Sequence, residues 1–327
     1  MKQDRRDHGG GVDAAAATYG GGRTDWLDLS TGINPVPYSL PVLAPDVWNA
    51  LPDQGAMDRL LNAARRFWAV PDGAQIVAAP GASALIARMP YLSGLTGSAY
   101  IPGPTYNEHA AAVRASGVLR ISDEPATSDL HVYVHPNNPD GRLWGSTHMG
   151  GRPLTVIDES FCDVAPQQSH IKRAGEPGIV VLKSFGKFWG LAGLRLGFAI
   201  AAPDTFAPPH TVQHRATLKE HLGPWAVSGP ALEIGATALE DITWAPATRA
   251  RLTTDAARLD GVLTRSGATL VGGTTLFRLY DVDNAQDWQT RLAQHHIWTR
   301  VFPYNPRWLR LGLPGPDGWA RLDRALA

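Results

Sequence analysis

KSFGKFWGLAGLRLGFAI, residues 183–200, is the stretch on which the reading of the fold turns. An apolar run over 179–182 leads into it and a second, over 196–200, completes it, so the stretch reads as strand, loop, strand. The loop carries Ser184, two glycines around Lys187, then Gly190, Gly193 and Arg195. A lysine set between small residues has room around its amine. Apolar surroundings disfavour its charge and lower its pKa, which makes a lysine a Schiff-base nucleophile. Arg195 supplies a fixed guanidinium suited to an anion such as a phosphate. Either residue alone reads as an ordinary surface charge; the pattern around them decides.

Outward from this stretch, short apolar runs recur at 76–79, 98–101, 118–121, 130–134 and 154–158, mostly with helical or loop stretches between. Connections of that length suit crossover helices, so a mainly parallel sheet covered on both faces is expected. Residues 56–69 place Leu60, Leu61, Ala64, Phe67 and Trp68 on one helical face. Residues 1–35 read as an arm with one or two Ala-rich helical turns, ending in a Ser-Thr-Gly turn. Prolines 203, 208, 209, 224 and 230 mark a boundary. Beyond it come a helix with Leu252, Ala256, Leu259 and Leu263 in register, a strand-like 269–280, a helix near 285–296, strands at 297–302 and 308–313, and a short terminal helix. The expected division is an arm over 1–35, a large domain over 36–212 and a small α+β domain over 213–327.

Polar motifs fall at the ends of the runs, where open α/β sheets place their ligands. APGASALI at 79–86 is a strand-to-helix turn whose backbone amides at Ala82 and Ser83 offer an anion site. Tyr106 follows another strand and could lie on a flat ring. HPNNPDG at 135–141 fixes a turn that presents Asn138, and VIDES at 156–160 puts Asp158 at the sheet's carboxyl edge. A carboxylate there can keep a pyridinium nitrogen protonated, although a strand-end aspartate is also a common helix cap.

In order and spacing this set resembles the fold-type-I, pyridoxal-phosphate-dependent (PLP) aminotransferase family over nearly the whole chain. The resemblance implies that Lys187 is the Schiff-base lysine, with Asp158 and Tyr106 also catalytic. It implies that Asp158 pairs with the ring nitrogen, Asn138 with the ring hydroxyl, and Tyr106 with the ring face. Ser184, Arg195 and the backbone of Ala82 and Ser83 would hold the cofactor phosphate. Two positions depart from the family pattern. Phe161 stands where a tyrosine is common, and Leu51-Pro52-Asp53 stands where many members carry a Tyr-Pro-Asp turn that reaches the partner subunit.

HGG at 8–10, DLSTGINP at 28–35 and PGASALI at 80–86 are similar to the threonine-phosphate decarboxylase branch of cobalamin biosynthesis, which is related to the histidinol-phosphate aminotransferases. That similarity implies decarboxylation of L-threonine O-3-phosphate to (R)-1-aminopropan-2-yl phosphate. The alternative is amino transfer from a phosphorylated or small amino acid. It also implies Arg310 for the substrate carboxylate, Arg300 and His8 for a substrate phosphate, and Gly32 and Asn34 as further substrate contacts. By the same analogy the enzyme is a homodimer.

Composition narrows the rest. Of 327 residues 44% are apolar and 18% charged, an ordinary globular balance, and Lys+Arg and Asp+Glu both count 30. Zero net charge argues against nucleic acid as a partner. The single cysteine, Cys162, excludes an intrachain disulfide and a multi-cysteine metal site, and no metal is expected. The charged N-terminus lacks a following apolar core, and no run approaches the ~20 apolar residues of a membrane span, so a cytoplasmic enzyme is expected.

Overall fold

A computed structural model describes residues 8–150, 153–207 and 216–327. The chain forms two compact units. One comprises the residues up to Pro37, Pro139–Arg142 and Ala245–Ala327; the other comprises Tyr38–Asn138 and Leu143–Trp244. The boundary expected at 212–213 lies outside the described residues, as do Pro208 and Pro209. The arm groups with the C-terminal residues, and residues 216–244 group with the large sheet. In the arm the Ala-rich turns are the helix Val12–Tyr19, followed by a two-residue strand β1 (Leu27–Asp28).

The larger unit holds strands β2 (Gln75–Ala79), β3 (Ser98–Tyr100), β4 (Arg120–Ile121), β5 (Leu130–Val134), β6 (Leu154–Asp158), β7 (Ile179–Ser184) and β8 (Gly197–Ala201). They form one sheet in the order β2-β8-β7-β6-β5-β3-β4. All neighbours run parallel except β8, which is antiparallel to both β2 and β7. Every residue of β5, β6 and β8 is buried, as a sheet covered on both faces requires. Leu85 and Ile86, from the helix Ala82–Ile86, and Val113, from the helix Asn107–Ser116, pack on Val77, Val132, Val156, Val180 and Leu182. Each such side chain contributes about 1.5–3 kcal/mol by leaving water.

The helix Gln54–Trp68 buries Leu60, Ala63, Ala64 and Trp68, a stripe at helical spacing, while Leu61 and Phe67 are half-buried. Against it lies the helix Gly229–Glu240, capped by the Ser228 hydroxyl. A Cβ at Gly235 would come 2.5 Å from Leu196 Cδ2 and 2.9 Å from Leu60 Cδ1, so only glycine allows this approach. That contact places residues 229–240 with the large unit.

The loop after β7 has almost no regular structure and is fixed instead by rings. Phe185, Phe188 and Trp189 are all 0% exposed. Trp189 stacks between Phe185 and Trp244, each 5.0 Å away and nearly parallel. The aromatic residues flanking Lys187 thus anchor its loop from below.

In the smaller unit β9 (Thr269–Thr274), β10 (Phe277–Asp281), β12 (Arg300–Phe302) and β13 (Asn305–Gly312) make an antiparallel sheet in the order β12-β13-β10-β9. The strand-like 269–280 proves to be a hairpin, turning at Thr275 and Leu276. β11 (Ile297–Trp298) pairs in parallel with β1 and so ties the arm to this unit. Among the described residues no helix is long and apolar enough to cross a membrane.

Candidate active site

One cavity in the larger unit is lined by Ala82, Ser83, Tyr106, Asn138, Asp158, Ser160, Phe161, Ser184, Lys187 and Arg195. Its empty space, open mouth included, is about 620 Å³. Every residue expected to touch the cofactor therefore lines it. The sheet explains why. Asp158 ends β6, Ser184 ends β7, and Arg195 follows a short 3₁₀ turn into β8. Ala82 and Ser83 open the helix after β2.

One end of the cavity is built by close approach. Gly81 adopts φ +86°, and a Cβ there would lie 2.5 Å from Arg195 Nη2. Arg195 itself sits at φ +53°, a left-handed conformation that costs an arginine free energy. Its guanidinium donates to the Ala192 carbonyl at 3.1 Å. The Tyr106 phenol is pushed up to about 12, first by burial and then by the Asp158 and Glu108 charges, with Arg195 and a bond to the Ser83 hydroxyl acting the other way. Tyr106 is thus a neutral hydrogen-bonding group at ordinary pH. The two asparagines of the turn divide their work. Asn137 is fully buried and holds Thr105 and the Pro104 carbonyl, while Asn138 lines the cavity.

Asp158 is only 2% exposed. Its Oδ2 lies 2.8 Å from His109 Nε2, and its Oδ1 accepts from the Ser160 amide at 3.0 Å and hydroxyl at 2.5 Å. Burial would raise its pKa, but the bond and charge of His109 and the two Ser160 bonds outweigh burial and hold it below the ordinary value. Asp158 therefore stays a carboxylate despite its burial. His109 and Ser160 were not singled out by sequence. Ser160 was findable, since Asp-x-Ser is an Asx-turn signature; His109 sits among alanines and gives no such signal. Phe161 is buried, with its ring 5.3 Å from Lys187 Nζ.

Successive residues of a strand face opposite ways, so Lys183 turns from the cavity that Ser184 lines. Lys183 Nζ lies 2.6 Å from Glu159 and 3.5 Å from Asp163, with all three side chains almost wholly buried. Asp163 also accepts from the indole N–H groups of Trp68 and Trp189, and Glu159 from the Ser169 hydroxyl and the His170 amide. Burial lowers the Lys183 pKa, but the charges of Glu159 and Asp163 more than reverse this and raise it.

The smaller unit has its own polar cavity, lined by His8, Gly9, Gly10, Ser30, Trp298, Thr299 and Arg300 among others. Arg300 Nη1 donates to the His8 carbonyl at 2.8 Å. Thr299, 1% exposed, has a hydroxyl with no hydrogen-bond partner among the described residues. Arg310, on β13, is 4% exposed and donates to the Ser30 carbonyl. Asn34 is buried, with its Oδ1 accepting from Arg251 Nη2 at 2.6 Å and from the Val36 amide, and Gly32 is buried beside it in sequence.

The donor set of the first cavity fits pyridoxal phosphate. It offers a buried carboxylate for a ring nitrogen, an amide for a ring hydroxyl, and an amine. It also gathers hydroxyls, backbone amides and a guanidinium at a glycine-lined end that suits a phosphate.

Comparison with known proteins agrees with this chemistry. The family model for aminotransferase class I and II matches residues 151–321, just over half of the chain. The threonine-phosphate decarboxylase of Sinorhizobium sp is 41% identical, the match covering 98% of this chain and 97% of that one. The threonine-phosphate decarboxylase of Pseudomonas aeruginosa is 37% identical over the same shares. Among solved structures, the histidinol-phosphate aminotransferase of Sinorhizobium meliloti, in complex with pyridoxal-5'-phosphate, superposes with a TM-score of 0.75 at 18% identity. That match covers 97% of this chain and 93% of the other, a likeness of fold.

Proposed function

The chain belongs to the aminotransferase class I and II family, and from that premise we propose that it is a pyridoxal-phosphate-dependent decarboxylase of L-threonine O-3-phosphate. The observation that carries the reading beyond the family is the second polar cavity, where Arg300, Thr299 and His8 gather around a glycine-rich arm. Two full-length relatives at 41% and 37% identity that carry this activity support it.

Pyridoxal phosphate supplies an electron sink for the bond that breaks at the substrate's Cα. Lys187 would hold it covalently, Asn138 its ring hydroxyl, and Ser83, Ser184 and Arg195 its phosphate. Asp158, kept ionised by His109 and Ser160, would face the ring nitrogen and keep a proton there. Arg310 would bind the substrate carboxylate through its guanidinium fork, and Arg300 with His8 and Thr299 the substrate phosphate. With the cofactor held there, the residues that grip the substrate would decide which of its Cα bonds is activated. Residues that fix the substrate's rotation therefore choose between losing carbon dioxide and losing the Cα proton. A phosphate anchor at the far end uses binding energy from a non-reacting group to set that rotation.

The reading carries with it a cytoplasmic homodimer. Leu40, Val42, Trp48 and Leu51 are all exposed within one short stretch and make a surface that a second copy would cover. The deciding experiment incubates the loaded enzyme with threonine phosphate, with and without 2-oxoglutarate, and scores carbon dioxide and glutamate separately. Carbon dioxide released without any 2-oxo acid is expected. Glutamate formed with no carbon dioxide would leave the second reading, an aminotransferase.

A further inference from the structure

Ser30 is 1% exposed and stands where several hydrogen bonds meet. Its amide and its hydroxyl both donate to Asp28 Oδ1, at 2.9 and 2.6 Å. With its proton committed to Asp28, the hydroxyl oxygen accepts from the Gly10 amide at 2.6 Å. The backbone carbonyl of Ser30 accepts from Arg310 Nη2, also at 2.6 Å. The arm approaches this carbonyl so closely that a Cβ at Gly9 would fall on its oxygen. Gly10 and Gly11 continue at φ +87° and +80°, conformations that suit glycine. Two more bonds hold the same few residues, from Trp298 Nε1 to the Gly10 carbonyl and from Arg300 Nη1 to the His8 carbonyl.

We propose that Ser30 is a positioning residue that sets the His8-bearing arm and the head of Arg310 from one anchor, and thereby helps select the phosphorylated substrate. The proposal rests on the threonine-phosphate reading. Its physical content is that one buried residue fixes both groups, so the receptor for a phosphate and the receptor for a carboxylate are registered to each other before substrate arrives. Preorganisation of this kind lowers the ordering cost of binding a two-ended anion. It does nothing for a substrate that lacks the second anion. Asp28 orients the serine proton and so leaves the oxygen lone pair for Gly10.

The test compares the ratio of kcat/KM for threonine phosphate to kcat/KM for threonine in wild type, Ser30→Ala and Asp28→Asn. Deuterium exchange at the Gly10 amide is measured in the same three proteins. Losing the Gly10 acceptor should lower the ratio by roughly fivefold to tenfold in Ser30→Ala, the scale of one hydrogen bond. Gly10 should exchange faster, while the absorbance of the bound cofactor and the unfolding temperature hold. Asp28→Asn keeps an oxygen for the serine amide and hydroxyl, and should keep the ratio within about twofold. An unchanged ratio in Ser30→Ala, or equal slowing of both substrates, would overturn the proposal. So would a loss in Asp28→Asn as large as in Ser30→Ala, because the effect would then follow charge rather than the hydroxyl. If wild type shows no preference for the phosphate ester, the substrate reading fails. Gly10 exchange still decides whether Ser30 holds the arm.

Discussion

His109 Nε2 and Asp158 Oδ2 are 2.8 Å apart, and neither side chain is more than 2% exposed. Water cannot stabilise the Asp158 charge, so a histidine on the helix Asn107–Ser116 and the Ser160 turn do so. Removing the ring in His109→Ala should cut turnover roughly tenfold, the scale of one charge-assisted hydrogen bond. It should also move the acid limb of the rate profile to higher pH, because the carboxyl loses a group that lowers its pKa. Asp158→Asn should lose at least as much while cofactor still binds. Near wild-type turnover in both variants would reduce Asp158 to a strand-end cap.

Lys187 and Lys183 lie four residues apart on opposite sides of the sheet edge. Borohydride reduction of the loaded protein should therefore label Lys187 alone, read by peptide mass. Lys187→Ala should lose the visible absorbance of the bound cofactor and all turnover. A label on Lys183 would require its ion pair with Glu159 to open, and would sink the assignment.

The Lys183 cluster is a matter of stability. Lys183→Met leaves Glu159 and Asp163 buried without their cation, and should cost about 3–5 kcal/mol in denaturant unfolding. The pH signs follow from the shifts. Glu159 lies below its ordinary value, because Lys183 and the Ser169 and His170 bonds outweigh burial. Its contribution is present above about pH 4.5 and fades as pH falls through the folded value. Lys183 is raised, so its contribution is present below about pH 10 and fades as pH rises beyond. Stability from this cluster should be flat between those limits. Glu159→Gln should weaken the acid limb, and an unaltered limb would mean that other carboxyls set it.

Gly81→Ala should weaken cofactor binding roughly tenfold or more. The residue would be strained at φ +86°, and its methyl would collide with the Arg195 guanidinium. Titration of the cofactor-free protein by absorbance measures this directly. Wild-type affinity in the variant would show that Arg195 can move aside and that the close fit is incidental.

Sequence made the large sheet legible because strands buried on both faces read as continuous apolar runs. All seven runs became strands. The same property hid the direction of β8, since a doubly buried strand looks alike in either sense. The 269–280 hairpin stayed hidden because its turn lies at Thr275-Leu276, while the glycines 272 and 273 sit inside β9. The residues lining the first cavity were legible because most end a strand or open a turn. His109 was not, and neither was the Lys183–Glu159–Asp163 cluster, in which a lysine near the end of β7 meets two carboxylates from the turn after β6. The pairing of β1 with β11 rests on two residues from each, too few to mark the arm's partner.

The placement of β8 between β2 and β7 has a consequence for how the protein comes into being on the ribosome. β2 is the first strand of its sheet to be synthesised, but its neighbour arrives some 120 residues later, and Gly81 meets Arg195 only when that pairing closes. Until then the early chain exposes an apolar strand without a partner, a segment of the kind that invites aggregation. So late a closure carries a loop-entropy cost that slows folding. The Gly81–Arg195 contact is therefore among the last parts of this unit to form, after β8 has left the ribosome.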